Sequence, residues 1–292
     1  MNRSRKTSGR EYGSMEGQDD ELIGGYANES TKQKNLCYNG SSGAPLSPGG
    51  VYKLYRHEQN QNLQLKQLQS LSGRTDYLEQ RLQQVTDYYN VQPEYRDDVY
   101  NYLAIGNSLT LITSWGRGIC ATQPDGDYFG RVKQQLATEH GDAVAYRINY
   151  ASWERMQDRS KALDLLDILL SDKLNLVTIQ LGENVTDTSH FEEDLETLIA
   201  YVHKRAPRAK IIVIGDFWDK NRNKMRKQAA ENQNVLFADL SEIIGNKEYQ
   251  SKEGTICTLD DGSTIAVSKE AATHPGDKGM EYIANKVIEE EK

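Results

Sequence analysis

The sequence predicts an α/β domain: a five-stranded parallel sheet with helices on both faces. Three observations predict it. From residue 98 onward, short apolar runs alternate with amphipathic stretches of ten or more residues, the pattern of strand–helix–strand crossovers. The apolar runs are continuous rather than alternating with polar residues, as strands buried on both faces require. The large apolar residues also concentrate after residue 100, where a core must form.

The elements follow in order. Val99–Ile105 reads as the first strand and Tyr128–Thr138 as a helix. Ala143–Ile148 is the second strand, and Ser160–Leu170 a helix with Leu163, Leu166 and Leu170 on one face. Leu176–Leu181 is the third strand, followed by a helix over Phe191–His203 that stops before Pro207. Lys210–Gly215, a helix over Asp219–Glu231 and Val235–Asp239 complete the sheet. Residues 254–268 form a small β excursion, because Asp260-Asp261-Gly262 favours a hairpin turn. The last helix spans Asp277–Glu290, with Asp277 as its N-cap after Pro275-Gly276.

Three regions are expected. Residues 1–50 are Gly, Ser, Asn and charge with few large apolar groups, too little to offset chain entropy, and are expected to be disordered. Residues 51–95 are expected to form a helical stalk. Leu68, Leu71, Thr75, Leu78, Leu82 and Val85 follow the spacing of a heptad seam, though Gly73 interrupts it. The run fits a weak coiled coil, joining copies of the chain through residues 52–90, or a single amphipathic helix on its own domain. Residues 96–292 form the α/β domain.

Bulk properties exclude several function classes. The 292 residues carry 35 Lys and Arg against 43 Asp and Glu, a net charge of −8. That balance argues against nucleic acid as a partner, which needs clustered cations. The one dense basic stretch beyond the N-terminus, Lys220 to Lys227, reads as a solvated helix face. Cys37, Cys120 and Cys257 are too few and too scattered for a disulfide framework or a zinc site. No run approaches the about 18 apolar residues of a membrane span. The basic start, Met1-Asn2-Arg3-Ser4-Arg5-Lys6, is followed by no apolar signal segment. No cofactor is expected.

Candidate chemistry lies at the ends of strands. Gly106-Asn107-Ser108-Leu109-Thr110 directly follows the first strand, placing a serine hydroxyl at the carboxyl edge where open α/β sheets hold ligands. A serine becomes a nucleophile only if a base reaches it. Of five histidines, His274 is the best placed, held in a loop by Pro275-Gly276 before the last helix. Gly182-Glu183-Asn184 follows the third strand, and an amide there can donate to a developing oxyanion.

Together these stretches resemble the SGNH (GDSL-type) hydrolase family over roughly residues 98–290. Gln180-Leu181-Gly182-Glu183-Asn184, Gly215-Asp216-Phe217-Trp218-Asp219 and His274-Pro275-Gly276-Asp277-Lys278-Gly279-Met280 look like a bacterial subgroup of it. The resemblance implies a flavodoxin-like three-layer α/β/α fold and an ester hydrolase. Its substrate would be a small-molecule or carbohydrate ester, such as a sugar O-acetyl group. It implies Ser108 as nucleophile and His274 as base. The Ser108 N–H and the Asn184 amide would form the oxyanion hole. The family often works outside the cytoplasm, whereas this chain shows no export segment, so localisation stays open.

Two positions depart from the family pattern. The acid usually found three residues before the histidine is Ala271 here. A Ser–His dyad is therefore expected, with another group orienting the ring: a backbone carbonyl, Asp260, Asp216, or Asp261 as the possible acid. The family's glycine after the second strand is also missing from Asn149-Tyr150-Ala151-Ser152, leaving a backbone N–H of Ala151 or Ser152 as a substitute donor. Trp115 and Trp153, with Trp218, follow strands one, two and four and are expected to offer faces to a sugar ring. Two other classes stay open: a flavin- or nucleotide-binding module using Asn107–Thr110 and Thr113, and a non-catalytic glycan-binding or assembly protein.

Overall fold

The structure is a computed structural model that describes residues 61–62, 64–66, 93–112 and 115–292. Residues 61–62 and 64–66 are helical and exposed. The rest of the expected N-terminal segment and stalk, with its heptad seam, lies outside the described residues, as does Thr113.

Five parallel strands form one sheet in the order β2-β1-β3-β4-β5. They are β1 (Tyr100–Gly106), β2 (Ala143–Asn149), β3 (Leu176–Gln180), β4 (Lys210–Ile214) and β5 (Leu236–Ala238). The helices are α1 (Tyr128–His140), α2 (Ala151–Arg155), α3 (Phe191–Arg205), α4 (Lys220–Asn232) and α5 (Asp277–Glu291). The expected five-stranded α/β/α sandwich is what forms.

Side-chain alternation along β1 divides the core. Leu103 and Ile105 join the cluster with Trp153, Phe191, Leu195, Leu198 and Ala229, under α3 and α4. Tyr102 and Ala104 join the opposite cluster with Tyr128, Val132, Leu136, Met280 and Ile283, under α1 and α5. The strand is wholly buried from Asn101 to Gly106, and its apolar run Tyr102–Ile105 follows from having both faces covered. Asp127 caps α1 by accepting from the Gly130 N–H, and Gly141 closes it at φ 85°, the left-handed conformation favoured after a helix.

Three local differences from the sequence expectation have physical causes. The segment expected to be helical over Ser160–Leu170 is a 3-10 helix over Arg159–Leu166. Its buried leucines Leu163 and Leu166 stand three residues apart, which matches three residues per turn. The short α2 lies in a stretch to which the sequence pattern assigns no element. At α5, Gly276 is the N-cap and Asp277 is the first helical residue. The Asp277 carboxylate turns away from the helix and accepts from the Thr122 N–H and hydroxyl.

A two-stranded antiparallel hairpin, β6 (Ile256–Thr258) and β7 (Thr264–Ala266), forms as expected around Asp260–Gly262. Trp115, Ile119 and Cys120 from the segment after β1 pack with Cys257 and Val267 in a third small cluster.

Candidate active site

Gly106 ends β1 where the chain must turn sharply. A Cβ there would lie 1.8 Å from Thr110 Oγ1 and 3.1 Å from the Gln180 carbonyl, so only glycine fits. The turn is closed by Thr110 and Leu111 N–H groups donating to the Asn107 carbonyl at 3.0 and 2.9 Å. The Leu109 N–H donates to Asn107 Oδ1 at 3.2 Å. These bonds leave Ser108 half-buried at the carboxyl edge of the sheet. They also occupy the N–H groups of 109–111, which a phosphate cradle would need free.

His274 arrives from the other end of the chain. Its Nε2 lies 3.5 Å from Ser108 Oγ, at the outer limit of a hydrogen bond, a looseness common before substrate binds. Its Nδ1 lies 3.0 Å from the Ala271 carbonyl oxygen. A carbonyl only accepts, so in the neutral ring Nδ1 holds the proton and Nε2 presents its lone pair to the hydroxyl. The Ala271 oxygen also accepts from the His274 N–H at 2.9 Å and the Cys120 thiol at 3.2 Å. Burial lowers the His274 pKa below 6.5, and the bond to Ala271 opposes it in part. Burial pushes the neighbouring Cys120 thiol up to about 12, so no thiolate competes at neutral pH.

The loop carrying His274 is clamped on several sides. The Ser251 N–H donates to the His274 carbonyl at 2.8 Å, and the Gly276 N–H to that of Tyr249 at 2.9 Å. Trp218 stands edge-on to the His274 ring at 5.2 Å between centroids. Its Nε1 donates to the Thr273 carbonyl at 3.0 Å.

Beneath Ser108 lies a buried polar platform. Glu154, on α2, is 1% exposed. Its Oε2 accepts from Asn184 Nδ2 at 2.6 Å. Its Oε1 accepts from Asn107 Nδ2 at 3.1 Å and from the Gly182 N–H. Asn107 Nδ2 also reaches Glu183 at 2.6 Å. Behind them Arg226, fully buried, pairs with Glu183 and Asp216 at 2.8 and 3.2 Å. Burial raises the Glu183 carboxyl, with Arg226 opposing. Burial would also raise Asp216, but the Arg226 and Arg222 guanidiniums outweigh it and hold it low. Gly182 sits at φ 133°, and a Cβ on it would meet Phe191 at 2.6 Å and Arg226 at 2.8 Å.

Several expected site residues stand elsewhere. Asp261 is not on the imidazole: it is exposed, and its Oδ1 accepts from the Ser263 N–H and hydroxyl, closing the hairpin turn. Asp260 pairs with Arg117 at 2.8 Å, and Asp216 is taken by the two arginines. Trp153 is 0% exposed, in the core beside Tyr150 at 6.4 Å, and so offers no face to a ligand. Trp115 is 6% exposed, packed among Ile119, Cys120, Cys257 and Val267. Trp218 is the tryptophan beside His274. The Ala151 N–H is already bound to Asn149 Oδ1 at 3.0 Å, so it is not a spare donor.

A backbone carbonyl is among the groups expected on the imidazole, though the sequence does not say that it is Ala271; Glu154 is not expected at all. A backbone acceptor has no side-chain signature, and Glu154 stands in a short polar stretch like any exposed acid.

No protein-family profile matches the chain, and no curated protein does. Solved structures do. A two-domain esterase (CEX) active on acetylated mannans matches with a TM-score of 0.46 and 18% identity over 72% of this chain. The match spans about half of that esterase, 52% of its chain. A catalytic mutant of Axe2, an acetylxylan esterase from Geobacillus stearothermophilus, matches with a TM-score of 0.45 and 16% identity, over 66% of this chain and 94% of that one. Phospholipase A1 from Streptomyces albidoflavus NA297 matches with a TM-score of 0.44 and 12% identity, over 66% and 99%.

Proposed function

We propose that this chain is a serine ester hydrolase of the SGNH type that works with a Ser–His dyad. One observation carries the proposal: the Ser108 hydroxyl faces His274 Nε2 at 3.5 Å while Nδ1 is held on the Ala271 carbonyl at 3.0 Å. A nucleophile, a base and a group fixing the base's tautomer are the minimum for acyl transfer.

In the proposed reaction Ser108 Oγ attacks the acyl carbon as its proton passes to His274 Nε2. The Ala271 carbonyl keeps the Nδ1 proton and orients the resulting imidazolium, the part a carboxylate plays in a triad. The developing oxyanion is stabilised by the Ser108 N–H, which has no partner among the described residues, and by the Asn184 amide. Collapse breaks the ester C–O bond, and the leaving alcohol takes the proton from Nε2. Water, deprotonated by the same nitrogen, then releases the acyl group and restores the serine.

The alcohol of the substrate is assigned to a cavity beside the Glu154 platform. A cavity of about 440 Å³ between the segments after β2 and β3 is lined by Arg155, Thr186, Asp187, Ser189 and His190, with Glu154 joining it to Asn184. Its charged and hydroxyl side chains, beside Met156, would suit a hydroxylated alcohol, and the family resemblance, not the cavity, leads us to propose an O-acyl, foremost O-acetyl, carbohydrate as substrate.

The test is hydrolysis of p-nitrophenyl acetate and of an acetylated oligosaccharide, with fluorophosphonate labelling. Ser108→Ala is expected to abolish both turnover and labelling, and His274→Ala to lower kcat by about 10²–10⁴-fold. Turnover unaffected by Ser108→Ala would remove the hydrolase assignment. Glycan binding without turnover or labelling would make the chain a binding protein.

A further inference from the structure

Glu154 is a puzzle in energetic terms. Its carboxylate is buried, and no Lys, Arg or His among the described residues forms an ion pair with it. Its partners are neutral N–H groups: those of Gly182, Asn107 Nδ2 and Asn184 Nδ2, with the Asn184 backbone N–H at 3.4 Å. The buried Arg226 guanidinium acts on it only without direct contact; burying a carboxylate with no directly paired cation is costly, and a neutral acceptor would cost less.

Only a carboxylate, however, is an acceptor on both of its oxygens. An asparagine amide has nearly the same shape when its oxygen and nitrogen exchange places. Turned one way, Asn184 offers an N–H to an oxyanion; turned the other way, it offers a carbonyl that repels one. Glu154 Oε2, at 2.6 Å from Nδ2, admits only the first arrangement, because Oδ1 facing a carboxylate would be repelled. One Nδ2 proton is then committed to Glu154 and the other remains for the substrate.

The geometry points to Glu154 as a positioning residue that locks the Asn184 amide with its N–H, not its carbonyl, turned to the acyl oxygen. This inference rests on the ester-hydrolase proposal. It assigns Glu154 no contact with substrate and no proton transfer.

The test is a double-mutant cycle on p-nitrophenyl acetate hydrolysis. Glu154→Gln keeps the shape but puts an amide opposite an amide, so both orientations of Asn184 become allowed. It is expected to lower kcat by about ten- to a hundredfold, short of the 10²–10³-fold typical for deleting an oxyanion donor, with KM changed less than about threefold. In an Asn184→Ala background the same substitution is expected to cost less than about threefold, because there is no amide left to orient. A Glu154→Gln protein with native kcat, or equal losses in both backgrounds, would overturn the inference while leaving the hydrolase intact. Should Glu154→Gln not fold, Glu154→Asp, an acceptor withdrawn by one methylene, takes its place in the cycle under the same criterion. If the native protein shows no Ser108-dependent turnover, the hydrolase proposal itself falls and this inference with it.

Discussion

His274 is asked to stay neutral until the moment of attack and then to accept a proton. Its surroundings divide those tasks. Burial disfavours the charged ring and lowers its pKa below 6.5, while the Ala271 carbonyl favours the charged ring only weakly. Because the base must be neutral, a lowered pKa preserves activity further into acid. We therefore expect the acid limb of the kcat/KM profile on p-nitrophenyl acetate to have its midpoint below the 6.5 of a free imidazole. An acid limb above 6.5 would mean that a carboxylate reaches the ring after all. The same contrast separates Asp261 from its expected place: its carboxylate serves the Ser263 turn, and the backbone of Ala271 does the holding.

At the scale of elements, the site is assembled by loops at one edge of the sheet. Ser108 follows β1, Glu154 follows β2 and Asn184 follows β3; in the order β2-β1-β3 these are neighbours. The register that places Gly106 beside both Asn149 and Gln180 brings the three loops to one level. His274 comes from outside the sheet, so its position depends on how the start of α5 is fixed. Asp277 supplies one tie, accepting from the Thr122 N–H and hydroxyl, and thereby joins the segment that follows Ser108 to the helix that follows His274. Asp277→Ala is expected to cost about 1.5–3 kcal/mol, the range for hydrogen bonds to a charged group. Urea melts measure that loss. A severalfold fall in kcat should accompany it as Ser108 and His274 lose their common anchor. A fall in stability without any change in kcat would show that other contacts align the pair.

On the scale of the whole molecule, the buried apolar residues among those described run from Tyr102 to Val287, but the packing begins earlier. Tyr95 stands edge-on to Tyr146 at 5.4 Å and donates its hydroxyl to the Leu169 carbonyl at 2.7 Å. A chain beginning at residue 93 keeps both of these contacts. One beginning at residue 96, the boundary expected from sequence, should lose about 1 kcal/mol, or roughly 2–4 °C in melting temperature. Calorimetry on the two truncations checks this; equal melting temperatures would show that Tyr95 contributes nothing. No helix among the described residues is long and apolar enough to cross a membrane.

Residue order alone is enough to read the periodic part: five apolar runs and the amphipathic stretches between them became the sheet and most of its helices, because burial on both faces writes itself into residue type. It also marked Gly106-Asn107-Ser108 and His274 as the pair to examine, since a strand end and a Pro-Gly loop have local signatures. It took the folded chain to fix which group meets the imidazole, that Trp153 is core and Trp218 is the ring beside His274, and that Glu154 is buried against Asn184. Those outcomes depend on contacts between residues tens of positions or more apart, or on a backbone carbonyl common to every residue, and neither leaves a pattern in the order of the amino acids.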